Sequence, residues 1–255
     1  MLYFIAAIVL IGVYLIFSNR KKTLSINSQQ KSNYTKLLAE HVAFYQKLSP
    51  TQQQNFLLRM EGFLQETKIE GVGLALEDLD KVLIAASAII PIFGFKDWRY
   101  TNLTSIILYP DTFNNDFQFE GGKREIAGMV GSGFMNGQML LSRAALRKGF
   151  SALAGENNTA IHEFVHLLDK GDGATDGLPE QLIPHEYAAP WVKLMHQEIK
   201  KIEAGKSEID VYASTNEAEF FAVAAEYFFE KPEKFRQKHP ELYELLCRIF
   251  LQNPA

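Results

Sequence analysis

Residues Ile161–Asp169 read IHEFVHLLD, and within them His162-Glu163-Phe164-Val165-His166 forms an H-E-x-x-H pattern. On an α-helix, positions i and i+4 share one face, so His162 and His166 can present ring nitrogens to a single ion. Glu163 stands beside the first histidine, placed to take a proton from metal-bound water without occupying the metal. Asn157 or Asn158 suits the N-cap of such a helix, and Gly171 suits the residue that ends it. With six histidines in 255 residues, chance supplies the pattern on the order of 0.01 times per chain. Ile161, Phe164, Val165, Leu167 and Leu168 make the segment largely apolar. A surface helix with two solvated histidines therefore gives way to a buried zinc site.

A catalytic zinc usually takes three protein ligands, and spacing alone leaves the third open. A metzincin pattern would use Asp172, six residues after His166, but Asp169 stands where that pattern has glycine. The other source is Ser214–Glu230 (STNEAEFFAVAAEYFFE), read as a helix that opens with a capping box between Ser214 and Glu217. It offers Glu217, Glu219, Glu226 and Glu230. Its apolar face, Phe220, Phe221, Ala224, Tyr227 and Phe228, turns Glu217 inward and Glu219 away. Asp169 is a candidate for orienting a ligand histidine. The loop Gly171–Gly177 (GDGATDG) reads as an Asp/Gly turn after a helix rather than a calcium site.

The rest of the chain sets the frame. It is 47% hydrophobic and 22% charged with a net charge of −4, which excludes a disordered chain and a nucleic-acid binder held by an overall positive field. Cys247 is the single cysteine, so no disulfide forms within the chain and the metal is left to His and Glu. Hydrophobicity is uneven. Met1–Phe17 carries no charged side chain and would span about 25 Å as a helix. Arg20, Lys21 and Lys22 follow it, while no basic residue precedes it and no small-residue cleavage site closes it. The expectation is one N-terminal transmembrane helix over 1–17, a polar tether over 18–33, and a domain over 34–255 on the cytoplasmic side. Helices are expected over Tyr34–Leu48, from Thr51 through Phe63, over Leu76–Ile90 and over Pro240–Leu251. Ser105–Tyr109 reads as a buried strand, and Ile126–Leu141 as a hairpin about Asn136-Gly137. The fold class is α+β, mostly helical with a small sheet.

HEFVHLLDKGDG (162–173), YASTNEAEFFAVAAEYFFEKPE (212–233) and HPELYELL (239–246) occur together with SPTQQQNFLLRMEGFLQE, LYPDTF and MLLSR. In these segments the chain resembles the Mlc titration factor A family of zinc-dependent peptidases, over roughly Leu38 to Pro254. The resemblance implies a zincin-type domain similar in fold to the catalytic domain of anthrax lethal factor. It implies one zinc ion held by His162, His166 and Glu219. It also implies Glu163 as general base and Tyr212, seven residues before the ligand glutamate, as the donor that stabilises an oxyanion. The expected function is a membrane-anchored peptidase acting on a peptide or protein, with the Gly128–Leu141 hairpin as an edge for extended substrate and no direct contact with nucleic acid. The family name implies a second function, binding and sequestering a transcriptional repressor without need of turnover.

Overall fold

In a computed structural model, residues 27–151 and 155–255 are described. The first helix, α1 (Ser28–His41), opens on Asn27, whose side chain accepts the N–H of Gln30. A one-turn helix α2 (Ala43–Gln46) follows, and the two together occupy the stretch expected as a single helix. The break falls at Val42, which is extended at φ −114°. Helix α3 (Pro50–Glu66) is capped by Ser49 rather than Thr51, with Pro50 in the first turn where its missing N–H costs nothing. Phe56, Leu57, Met60 and Phe63 form its buried stripe. Helix α4 (Asp78–Ile92) is buried along nearly its whole length, because α1, α3 and the helix Thr159–Asp169 all pack on it.

Four strands form one sheet in the order β1-β2-β4-β3: β1 (Lys68–Gly71), β2 (Ser105–Tyr109), β3 (Gly128–Val130) and β4 (Gln138–Ser142). β1, β2 and β4 run parallel, and β3 lies antiparallel to β4 at the edge. The register pairs Ile106 with Met139 and Leu108 with Leu141. These four side chains enter the main core, while Tyr109 and Leu140 turn the other way onto Phe113. This is the period-two alternation of a sheet covered on both faces. The hairpin is looser than Asn136-Gly137 alone would make it, since a 3-10 turn, Gly133–Met135, lies between its strands.

Helix α5 (Arg143–Gly149) leaves β4 directly. Helices α6 (Thr159–Asp169), α7 (His185–Glu203), α8 (Glu217–Glu230), α9 (Pro232–Lys238) and α10 (Pro240–Phe250) complete the chain. A mostly helical α+β domain with a small sheet is therefore observed. The membrane-spanning helix is corrected. Among the described residues no helix is long and apolar enough to cross a membrane. α4, the most uniformly buried, has 15 residues, about 22 Å against a hydrocarbon core of roughly 30 Å. α7 has 19 residues but carries charges along one face. Met1–Phe17 and most of the tether, 18–26, lie outside the described residues, and residues 28–33 belong to α1. No described helix supports the membrane anchor, the single-pass location or the membrane as a partner, and these are not carried further.

Candidate metal centre

The centre is built where α6 crosses α8. Asn158 caps α6 through its side-chain oxygen, which accepts Ile161 N–H at 3.3 Å. Ile161, Phe164, Val165 and Leu168 are buried, and Phe164 packs edge-on against Phe63 with ring centroids 5.8 Å apart. That apolar packing orients the opposite side of α6, carrying His162 and His166, toward α8.

α8 begins at Glu217, one helical position after its N-cap Asn216, whose side chain accepts Glu219 N–H at 2.9 Å. The capping box expected at Ser214 is not formed. Ser214 instead closes a 3-10 turn, its hydroxyl donating to Val211 O. Glu219 thus stands at the third helical position, in the first turn, where the helix dipole favours a carboxylate. Its Oε2 lies 2.9 Å from His162 Nε2 and 3.4 Å from His166 Nε2, and the two ring nitrogens are 3.0 Å apart. Tetrahedral zinc with bonds of about 2.0–2.1 Å separates its ligand atoms by roughly 3.3 Å. The three atoms therefore fit one ion. His162, His166 and Glu219 form a cluster able to hold a metal, the only such group among the described residues. Glu217, favoured by periodicity, is exposed and pairs with His196 at 3.1 Å.

The electrostatics match a cation site. Burial opposes the charged ring of His162, yet hydrogen bonds to Glu219 and Glu226 outweigh it and raise the group to about 10. Burial also works against charge on Glu219, but the hydrogen bonds and positive potential of the two histidines hold it well below the usual carboxylate range. Glu163 is 6% exposed, and burial raises it. Its side chain lines a cleft of about 520 Å³ with His162, His166, Glu219, Tyr212 and Gly128. A Cβ at Gly128 would stand 2.7 Å from Glu163 Oε1, so only glycine lets β3 approach α6 this closely. Tyr212 stacks obliquely on His162, with centroids 6.0 Å apart, and is half exposed. Burial, then the charges of Glu219 and Glu163, push its hydroxyl up from 10. A larger cavity of about 600 Å³, walled by Phe44, Phe93, Phe150 and Phe229, contains none of these ligands.

Two neighbours differ from expectation. Asp169 does not hydrogen-bond His166. Its Oδ2 accepts Gly177 N–H at 2.9 Å, while its Oδ1 and His166 Nδ1 are both buried without partners. The left-handed residue after α6 is Gly173, at φ 104°, rather than Gly171. The Gly171–Gly177 loop is a run of turns. Asp172 accepts N–H groups of Ala174 and Glu180, and Asp176 accepts that of Leu178. Gly177 has φ 76° and a Cβ there would sit 2.2 Å from Glu217 O, at the start of α8. Gly177→Ala should cost at least about 2 kcal/mol, because strain and a backbone clash add. Urea unfolding measures it, and a loss below half that figure contradicts the packing described.

Glu226 is one of the four glutamates of this helix and has no role from the sequence, yet its Oε1 lies 2.7 Å from His162 Nδ1. A signal was present: Glu226 follows Glu219 by seven residues, two helical turns along the same stripe. Glu230, one further turn on, accepts from Asn158 Nδ2 at 2.8 Å, and burial raises it to about 7. A carboxyl favoured in its neutral form when folded supports stability fully below its unfolded value near 4.5, and loses that support as pH rises through about 7. Glu230→Gln should therefore raise stability by about 1–2 kcal/mol at pH 8 and change it little at pH 4. Unfolding midpoints across that range check the sign.

The sequence profile of the family described as glucose-regulated metallo-peptidase M90 matches residues 16–251. An uncharacterized protein of Synechocystis sp. is 29% identical over 231 residues, covering 86% of this chain and 83% of that protein. Proteins named Mlc titration factor A from Escherichia fergusonii and Klebsiella pneumoniae are each 30% identical over 224 residues, covering 81% of this chain and 82% of theirs. That shared name describes titration of Mlc rather than peptide hydrolysis. It overturns the peptidase expected as the main function, and with it the assignment as a hydrolase acting on peptide bonds. What stands is a metal-capable His-His-Glu cluster in a chain related to titration factors. The match from residue 16 to residue 251 fixes the kinship: the chain belongs to the glucose-regulated metallo-peptidase M90 family.

Proposed function

We propose that the chain is a regulatory protein that binds and sequesters a transcriptional repressor, with a metal centre at the binding cleft. The observation that carries this reading is the name Mlc titration factor A, shared by relatives aligned over about four-fifths of both chains. The ion we propose is Zn2+, held by His162, His166 and Glu219, because two imidazoles and one carboxylate suit zinc better than calcium or magnesium. Bound there, zinc supplies a fixed positive charge and an open coordination position at the cleft floor. Glu163 and Tyr212 are the cleft residues beside it, one offering an acceptor and the other a donor to an entering partner segment. Residues 34–255 act as one domain of zincin type, with the likeness to the catalytic domain of anthrax lethal factor as part of this proposal.

The test mixes the full chain with a purified repressor of the Mlc kind and measures complex formation by calorimetry, with zinc and with chelator. A complex that weakens on chelation and in His162→Ala is expected. No complex under either condition overturns the reading. So does hydrolysis of peptides by the zinc-loaded chain that Glu163→Gln abolishes, which would return the protein to the peptidases.

A further inference from the structure

The Nε2 atoms of both histidines face the ion position, but their other nitrogens are treated differently. His166 Nδ1 is buried without a partner. His162 Nδ1 meets Glu226 Oε1 at 2.7 Å, and both residues are nine-tenths buried. The second oxygen of Glu226 accepts the backbone N–H of Asn158, the N-cap of α6. Asn158 is itself fully buried and fully used: Oδ1 caps Ile161 N–H, and Nδ2 donates to Glu230. Gly149 makes room for it, since a Cβ there would press on Asn158 Oδ1 at 3.0 Å.

We propose that Glu226 is a positioning residue of the metal centre. Its carboxylate holds a proton of His162 on Nδ1, turns Nε2 toward Glu219 and His166, and ties the ring to the N-cap of α6 through Asn158. The chemistry follows from an imidazole having one donor and one acceptor nitrogen when neutral. A carboxylate on Nδ1 therefore selects the tautomer that ligates through Nε2. It also raises the basicity of the ligating nitrogen. α8 supplies both carboxylates, Glu219 to the ion position and Glu226 two turns later to the far side of the first ligand ring. A purely structural role leaves part of this unexplained. One oxygen of Glu226 satisfies Asn158, whereas the other is spent on a ligand ring in a site where an unpaired buried charge is costly. His162 is thus the ligand whose ring a carboxylate orients, while the far nitrogen of His166 has no such partner.

The inference rests on the metal reading of the same cluster, and one experiment separates the two. Zinc affinity of the full chain is measured by competition with a chromogenic chelator for wild type, Glu226→Gln, Glu226→Ala and the exposed control Glu217→Gln. The visible spectrum of each Co2+-loaded protein is recorded alongside. Glu226→Ala should bind zinc about 10–100-fold more weakly, and Glu226→Gln at least about threefold more weakly, with the control within about twofold. Both Glu226 variants should shift the Co2+ spectrum, which loss of a structural hydrogen bond alone would not do. Should Glu226→Ala fail to fold, the isosteric Glu226→Gln decides. Wild-type affinity together with an unchanged spectrum in Glu226→Gln overturns the positioning role while leaving the metal centre intact. Absence of zinc binding by the wild type overturns both.

Discussion

Glu219→Ala should lower zinc affinity by more than about 100-fold, while Glu217→Ala should leave it within about twofold. The bound follows from comparison: loss of a group that only orients a ligand costs about 10–100-fold, so loss of a direct ligand must cost more. Both glutamates open α8, two residues apart, yet they face different surroundings. Glu219 Oε2 stands within 3.4 Å of both ring nitrogens. Glu217 reaches exposed His196, a pair in which each side chain is about half exposed, and such pairs contribute little. Chelator competition on the two variants measures the contrast. Equal losses would mean the ion sits elsewhere in the cleft. A loss confined to Glu217→Ala would mean that α8 starts in a different register from the one Asn216 sets.

That contrast also shows where sequence reading stops. The helix Thr159–Asp169 and its two histidines were legible because an apolar stripe at helical spacing, a polar cap and an i, i+4 pair all point one way. Strand Ser105–Tyr109 was legible for a similar reason, an apolar run closed by Pro110. The side of α8 was not. From Phe220 to Phe229 every residue of that helix is buried, so it has no single apolar face, and a rule that assigns inside and outside by one face has nothing to act on. The ligand came instead from the family resemblance. β1, Lys68–Gly71, was missed because its four residues alternate charged and small or apolar groups and gain strand geometry only by pairing with β2. Glu226 was visible as a carboxylate in an apolar run, but its partner lies 64 positions away in sequence. A pattern within one helix cannot show that.

Asp80→Ala should destabilise the protein by about 3 kcal/mol, the largest effect expected of any polar substitution away from the metal centre. Asp80 is fully buried at the third position of α4. Its carboxylate accepts the backbone N–H of Glu77 at 2.9 Å and the guanidinium groups of Arg143 at 2.5 Å and Arg147 at 2.8 Å. Both arginines belong to α5, which carries the chain out of β4, and α5 and α4 both pack against α6. One carboxylate thus caps the central helix and fastens it to the sheet. Truncating it leaves the Glu77 N–H without an acceptor and takes one carboxylate from each arginine, which keep Glu77 at 3.7 and 2.9 Å, and breaking a buried pair from one side costs about 3–5 kcal/mol. The side chains of Arg143 and Arg147 are 18% and 35% exposed, so water recovers part of their charge and the lower figure applies. Asp80→Asn keeps the shape and one acceptor and should lose less, which separates charge from packing. Because the carboxylate is out of solvent, 0.5 M salt should change these losses little. The exposed pair Lys36–Glu40, 3.8 Å apart on α1, should contribute less than about 0.5 kcal/mol, and salt should remove even that. A loss under about 1 kcal/mol for Asp80→Ala, by urea unfolding at constant slope, would show that α4 and α5 are held by apolar packing alone.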